Sequence, residues 1–367
     1  MLISDLVSRI SSLSGSGSTV KLRKKLALVL FLLVVSLVFA VFLASAFGSA
    51  NVALPDIIKM ILNKLAVFHF TPTWQPADET IIFNIRLPRV IGGALIGAAL
   101  ATAGVLFQGL LRNPMADPYV IGTSAGAALG ATIAMLVPLN LAFLGFGLVP
   151  IAAFAGALIT VMVVYNLSRV AGKTPIVSML LAGIVVSSLL TAVVFFLITI
   201  SERLNLNLHS VYSFLMGHIS VTSWSQVAIV APLVIGGIFG ARLMAFHLNA
   251  FAMGEEGAAY LGVTIERDKL LTLGLGSLLT AAAVSISGLI GFVGLVIPHA
   301  VRLILGPDHR ILIPASALAG AIFLIIADLL ARIILSPIEI PVGIITAVIG
   351  GPFFLYILRR SKREYAF

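Results

Sequence analysis

The sequence predicts an all-α protein that crosses a membrane ten times, and three observations carry that prediction. Hydrophobic residues make up 60% of the 367 and charged residues only 10%, with a mean hydropathy of +1.16, a composition that belongs to polytopic membrane proteins. The apolar residues fall into ten runs, each about long enough to cross a hydrocarbon core, separated by short breaks rich in proline, glycine and charge. The basic residues gather on alternate breaks, as loops on one side of a membrane do.

In chain order, residues 1–25 form a Ser- and Gly-rich tail without an apolar face, closed by Lys21, Arg23, Lys24 and Lys25. The first apolar run, 26–47, has the order of a signal peptide, and Ala44-Ser45-Ala46 mimics a cleavage site. Its apolar core is too long for one, so an uncleaved helix with its N-terminus inside is predicted. Between 48 and 84, Leu54, Ile57, Ile58, Ile61, Leu62 and Leu65 recur at helical spacing, which predicts a short amphipathic helix on the outer face.

The remaining spans fall at 86–111, 118–137, 143–167, 176–200, 225–246, 269–288, 290–305, 311–335 and 342–358, followed by a short tail at 361–367. The second span is the hub. It has no charged residue from Val90 to Leu111, and Gly93, Gly97 and Gly104 lie on nearby faces where small residues let helix backbones approach in lipid. It ends in Arg112-Asn113-Pro114, a polar elbow before the next apolar run. The longest internal polar connection, 247–268, predicts one or two short helices joined by glycine on the cytoplasmic surface.

An even number of spans returns the chain to the side it began on. Inside fall Arg9, the four basic residues near 21, Arg112, Arg169, Lys173, Arg242, Arg267, Lys269, Arg302, Arg310, Arg359, Arg360, Lys362 and Arg363. That is seventeen of 23 basic residues, leaving Lys59, Lys64, Arg86, Arg89, Arg203 and Arg332 outside. This scatter at span ends accounts for the net charge of +9 without nucleic acid, which would call for a basic stripe with aromatics.

Several motifs point elsewhere and fail on context. Gly172-Lys173-Thr174 ends like a phosphate-binding loop, but Leu167 stands where that loop needs glycine and no strand precedes it. Gly122-Thr123-Ser124-Ala125-Gly126 has the spacing of a serine-hydrolase elbow with His299 as a paper partner, yet the surroundings read as the start of a membrane helix. Zero cysteines remove thiolate sites. His69, His209, His218 and His247 are spread over both sides, so no metal or cofactor site is predicted. His209 and His218 are placed outside, and nothing in their spacing demands a ligand. His299 reads as a structural histidine at a helix end.

Asp328 is the acidic residue deep in an apolar span. It is either hydrogen-bonded to a neighbouring helix or a proton-coupling group of a secondary transporter.

Five separated motifs occur in one order: Arg86-Leu87-Pro88-Arg89, then NPMADPYVIGTSAG from Asn113, MGEEGAAYLG from Met253, GLIGFVGLVIPHAVRLILGPDHR from Gly288, and IPVG from Ile340. On these the chain resembles, over about 26–360, the FecCD-type permeases of ATP-binding-cassette (ABC) importers for iron-siderophores, haem or vitamin B12. The resemblance implies a ten-helix type II importer permease in the cell membrane of a prokaryote, with both termini cytoplasmic. It implies a homodimer that binds two separate ATPase subunits and receives cargo from an extracytoplasmic binding protein, with no cofactor of its own. It implies docking of that protein at Arg86, Arg89 and Arg332, and an inner gate at Asn113, Pro114, Met115, Ile176 and Val177. ATPase coupling would lie at Gly254, Glu255, Glu256, Ala258, Leu261 and Gly262. The translocation path would follow the fifth span, Tyr212, Met216, Gly217, His218, Pro341, Gly343 and Thr346. It also favours the structural reading of Asp328, since related permeases carry an acid in the matching stretch without being proton-driven.

Overall fold

The computed structural model describes residues 16–48, 52–64, 70–137, 142–143, 145–203 and 208–361; Leu65, His69 and most of both predicted tails lie outside them. Seven helices among these residues are long and apolar enough to cross a membrane. Three shorter apolar ones, Thr123–Leu136, Val293–Leu305 and Val342–Tyr356, complete the ten that the sequence predicts.

Helix α1 (Ser16–Ala46) carries Leu28, Phe31, Val38 and Phe39 exposed and buries Ala40, Ala44, Ser45 and Ala46 towards its end. It lies against the ninth span through Ala40, Ala44 and Ile325. The amphipathic helix follows as α2 (Leu54–Lys64), which turns Ile57 and Met60 into a small core with Ala46, Ile82 and Trp74 while Ile58 stays exposed. Its polar side is tied to the following loop by Thr73 Oγ1 donating to Asp56 at 2.6 Å.

The second span begins ten residues before its predicted start. A continuous helical stretch runs Pro76–Leu110: α3 (Pro76–Thr80), a π-helical turn at Ile81–Arg86, and α4 (Leu87–Leu110). Periodicity missed the first part because Asp78, Glu79 and Asn84 make it polar. The π turn is also where Trp224 Nε1 donates to the Phe83 carbonyl at 2.8 Å. Helix α4 is the bundle's axis. A methyl group at Gly97 would strike the Gly320 carbonyl, and one at Gly104 the Gly294 carbonyl, so backbone meets backbone at both levels. Gly93 is less crowded, its nearest neighbour being Ile219 Cδ1 at 3.3 Å.

Around this axis come α5 (Thr123–Leu136), α6 (Leu148–Ser168) and α7 (Ile176–Arg203). Helices α5 and α6 interlock through Gly126 and Gly156, each facing the other's backbone. A two-stranded hairpin, β1 (Ala142–Phe143) with β2 (Phe146–Gly147), precedes α6. Next are α8 (His209–Met216) and α9 (Trp224–Leu243), then the short α10 (Ala245–Phe251) and α11 (Glu255–Tyr260). The bundle closes with α12 (Ile265–Ser287), α13 (Val293–Leu305), α14 (His309–Ile333) and α15 (Val342–Ser361). Phe107, Leu106 and Leu100 of α4 share one core with Leu279, Val293, Leu312 and Leu324 of α12, α13 and α14.

Candidate functional site

Four groups of residues hold what the sequence singles out. At one end, Arg86 and Arg332 meet the last turn of α1, whose carbonyls have no partner within their own helix and which carries no basic residue there itself. Arg86 Nη1 donates to the Ser45 and Ala46 carbonyls at 3.2 and 3.1 Å. Arg332 Nη2 donates to the Ala44 carbonyl at 3.0 Å and Nη1 to that of Phe47 at 3.4 Å. Cations suit a helix C-terminus, so both guanidinium groups are turned inward, each residue only 5% exposed.

Arg89 is different. Its Nε and Nη2 donate to Asp328 Oδ1 at 3.1 and 3.0 Å, and its Nη1 reaches Glu339 Oε2 at 2.9 Å with the side chain 16% exposed. Asp328 takes Arg332 Nε on its other oxygen at 2.9 Å. Its carboxylate is thus clamped between α4 and its own helix, as the structural reading of that residue anticipates. Of the three arginines, Arg89 alone presents a partly open guanidinium beside an exposed acid, Glu339.

The residues named for the translocation path converge. Gly343 N donates to the Gly217 carbonyl at 3.3 Å, and a methyl group at Gly343 would strike the Met216 carbonyl. Gly217, with φ of 79°, turns the chain out of α8 into an extended segment. That segment pairs with the end of α12 through His218 N to Ser287 O at 2.8 Å and Ser220 N to Ile286 O at 2.9 Å. Tyr212 and Met216 are exposed, His218 and Pro341 half-buried, and Gly217 and Thr346 buried. Tyr212 Oη donates to Glu202 at 3.1 Å. Burial and the nearby Arg89 hold the His218 imidazole below its ordinary range. The described residues contain no group of three or more His, Asp or Glu arranged to hold a metal.

At the opposite end, the elbow Asn113–Met115 is an exposed turn stiffened by Met115 N donating to Asn113 Oδ1 at 2.9 Å. Pro114 and Met115 line a small cavity with Leu295, His299 and Phe353, and His299 hydrogen-bonds the Pro114 backbone. Ile176 lines a different cavity, with Leu110, Tyr165, Thr174 and Lys269. Val177 is 67% exposed. Within one chain, then, the two halves named for the gate stay apart. Beside the elbow, Asp117 accepts from Tyr119 N at 2.8 Å, and burial pushes its carboxyl up to about 6 despite that bond.

The 247–268 connection forms α10 and α11, joined by Gly254 at φ 91°. Glu256, Leu261 and Gly262 are exposed, Gly254 and Glu255 half-buried, and Ala258 fully buried against the chain's own core. Ala258 therefore anchors the segment. Sequence reasoning missed Met253 and Tyr260, 69% and 92% exposed, which pattern alone would assign inward as apolar residues. It also missed Gln108, a buried amide that donates to the Gly294 and Leu295 carbonyls at 3.3 and 3.2 Å and so ties α4 to α13. A polar residue inside an otherwise apolar run was the available signal.

Ser124 sits in the first turn of α5, which follows a 3-10 turn (Pro118–Ile121) and Gly122 at φ 89°. The strand that a hydrolase elbow requires is absent at this place.

This architecture, helices closed around a glycine-lined axis with a platform of short helices at one end, is that of a membrane permease of the type II ABC importer class and not of an enzyme. The chain belongs to the FecCD transport family, whose model matches residues 28–360. It is 47% identical over 281 residues to the cobalamin import system permease protein BtuC of Halobacterium salinarum, covering 77% of this chain and 74% of that one. It is 39% identical over 300 residues to the hemin transport system permease protein HmuU of Yersinia pestis, covering 80% and 89%. A solved structure described as an inward-facing conformation of a metal-chelate type ABC transporter matches with a TM-score of 0.75 at 30% identity. That match covers 90% of this chain and 98% of the other.

Proposed function

We propose that two copies of this chain form the pathway by which a metal chelate, a ferric siderophore, haem or cobalamin, passes from an extracytoplasmic binding protein to the cytoplasm. The energy comes from two ATPase subunits seated on the α10–α11 face. That face is cytoplasmic, and so are both termini, in the cell membrane of a prokaryote. The observation that carries the reading is the platform itself. Met253, Tyr260 and Leu261 stand exposed on short helices whose other side, through Ala258 and Phe251, is locked into the core. An apolar rim on a rigid mount fits a soluble partner that must push on the bundle.

The second copy would cover the open sides of α7 and α15, where Leu181, Ile184, Leu189, Ile344 and Val348 are exposed. Tyr212, Met216 and Gly343 would lie along the path between the copies. Asn113–Met115 of both copies, with Ile176 and Val177, would close its inner end. Lipid would surround the remainder. Arg89 would receive an acidic residue of the binding protein in exchange for Glu339, with Arg86 and Arg332 holding the surface behind it.

The cognate ATPase should co-purify with the permease, and liposomes containing both should import the cargo that the purified binding protein carries. Import should require internal ATP and survive collapse of the proton gradient by an uncoupler. Uptake that stops with the uncoupler while ATP remains would overturn the reading in favour of an ion-coupled carrier.

A further inference from the structure

Lys269 occupies the first turns of α12, yet it is only 8% exposed. A buried ammonium must be paired, and this one has three partners on three elements. Its Nζ lies 2.9 Å from Glu255 Oε1, at the first residue of α11, and 3.2 Å from Glu266 Oε1 of its own helix. It also donates to the Thr174 carbonyl at 3.4 Å. The other oxygen of Glu266 accepts from Thr174 N at 2.9 Å, so Thr174 is gripped on both of its backbone groups.

Thr174 stands two residues before Ile176, where α7 begins. The connection from α6 to Thr174 has no slack. Val170 and Lys173 exchange both backbone hydrogen bonds, at 2.9 and 3.0 Å, around Ala171 and Gly172 at φ 49° and 79°, the geometry of a two-residue hairpin turn. The neighbouring acid is already engaged, Asp268 accepting from Thr264 N at 3.1 Å. Displacement of α11 therefore drags Lys269 or strips it of a carboxylate, and displacement of Lys269 and Glu266 carries Thr174 and the start of α7.

We propose that Lys269, with Glu255 and Glu266, is the positioning hub that transmits movement of the α11 platform into the α7 gate end. This rests on the proposed seating of the ATPase on α10–α11 and of the gate at Ile176 and Val177. It adds the mechanical link between them, which runs through one buried cation.

The test uses the permease–ATPase complex in liposomes with its loaded binding protein, read as cargo imported per ATP hydrolysed. Glu255→Gln cuts the platform arm, Glu266→Gln the gate arm, and Lys269→Met both. Each should lower that ratio by about fivefold or more, the scale of a coupling of 1–3 kcal/mol. Links in series predict that Glu255→Gln with Glu266→Gln is no worse than either alone. A ratio equal to wild type in Lys269→Met, or a double variant showing the product of the two single losses, overturns the hub.

A second readout does not depend on transport. The chain has no cysteine, so spin labels on cysteines introduced at Lys173 and Met253 attach nowhere else on it, and dilution with unlabelled permease isolates the distance within one copy. Their separation should stay constant through the ATP cycle in the otherwise unaltered protein and broaden on ATP addition in Lys269→Met. Equal distributions in both overturn the proposal. Failure of the underlying reading looks different: the ATPase then fails to bind the unsubstituted permease at all.

Discussion

The second and fifth spans are both long, apolar and free of charge in their middles, yet they live in opposite surroundings. The apolar window of Pro76–Leu110 is 83% buried, whereas that of Ile176–Glu202 is 17% buried. The first meets its neighbours through Gly97 and Gly104. The second turns Leu181, Ile184, Val185, Leu189, Phe195 and Phe196 outward. In lipid there is no hydrophobic penalty for leaving an apolar side chain outside, so helices associate where shape permits close packing. Hydropathy reports that a segment tolerates the bilayer, and the placement of small residues reports which segment lies at the centre.

The sharpest way to break this contrast is to add the same bulk to both helices. Gly104→Leu places a side chain against the Gly294 backbone, which has no rotamer to yield. Overpacking costs about 1–3 kcal/mol and more where, as here, backbone blocks the new side chain, and little folded protein should survive size-exclusion chromatography in detergent. Ala192→Leu, on the exposed side of α7, should shift the stability of the isolated chain by no more than about 0.5 kcal/mol. Similar melting temperatures for the two variants would end the distinction between axis and periphery.

The arginine end probes the same contrast through charge. Asp328→Asn leaves Arg89 and Arg332 facing a neutral amide, and breaking a buried pair from one side costs about 3–5 kcal/mol. A large fall in thermal stability is the expected result, and proton-driven transport is not needed to explain it. Arg89→Gln should weaken docking of the binding protein about thirtyfold, about 2 kcal/mol and in the lower part of the 1.5–7 kcal/mol measured for close interfacial charge pairs. Docking should also lose part of its salt dependence in a titration at two ionic strengths. Unchanged affinity and salt dependence would make Arg89 purely a brace for Asp328.

A pH-dependent contrast concerns Asp117 at the elbow. Its carboxyl is raised to about 6 from an ordinary 3.8 by burial. Its contribution to stability is therefore complete below pH 3.8 and is lost as pH rises through 6. Asp117→Asn keeps an oxygen for Tyr119 N and removes the titration. The melting temperature of the variant minus that of the wild type should shrink as pH falls from 7 to 4. A constant difference would show that this carboxyl does not titrate in that window.

The class, the ten spans and the central place of the glycine-bearing second span were legible from the residues alone. Each rests on a local property, apolar run length or the size of a side chain at a given spacing, that no later contact can reverse. The sequence also marked Asn113–Met115 and 247–268 as breaks, because polar and charged residues cluster there with proline or glycine between apolar runs. Tertiary structure decided which way side chains at those breaks point.

Arg86, Arg89 and Arg332 are equivalent at the level of composition. Only the approach of the α1 terminus buries two of them on its carbonyls and leaves the third partly open. Ala258 and Tyr260 are neighbours in one short helix, and only packing against the core sends the first inward and the second into the open. Lys269 counts in the sequence as one more cytoplasmic cation. It becomes a three-way junction because Glu255 and Thr174, 14 and 95 residues away along the chain, are brought to it by the fold. A charge finds its partner through space, and no pattern of period 3.6 along a chain encodes that distance.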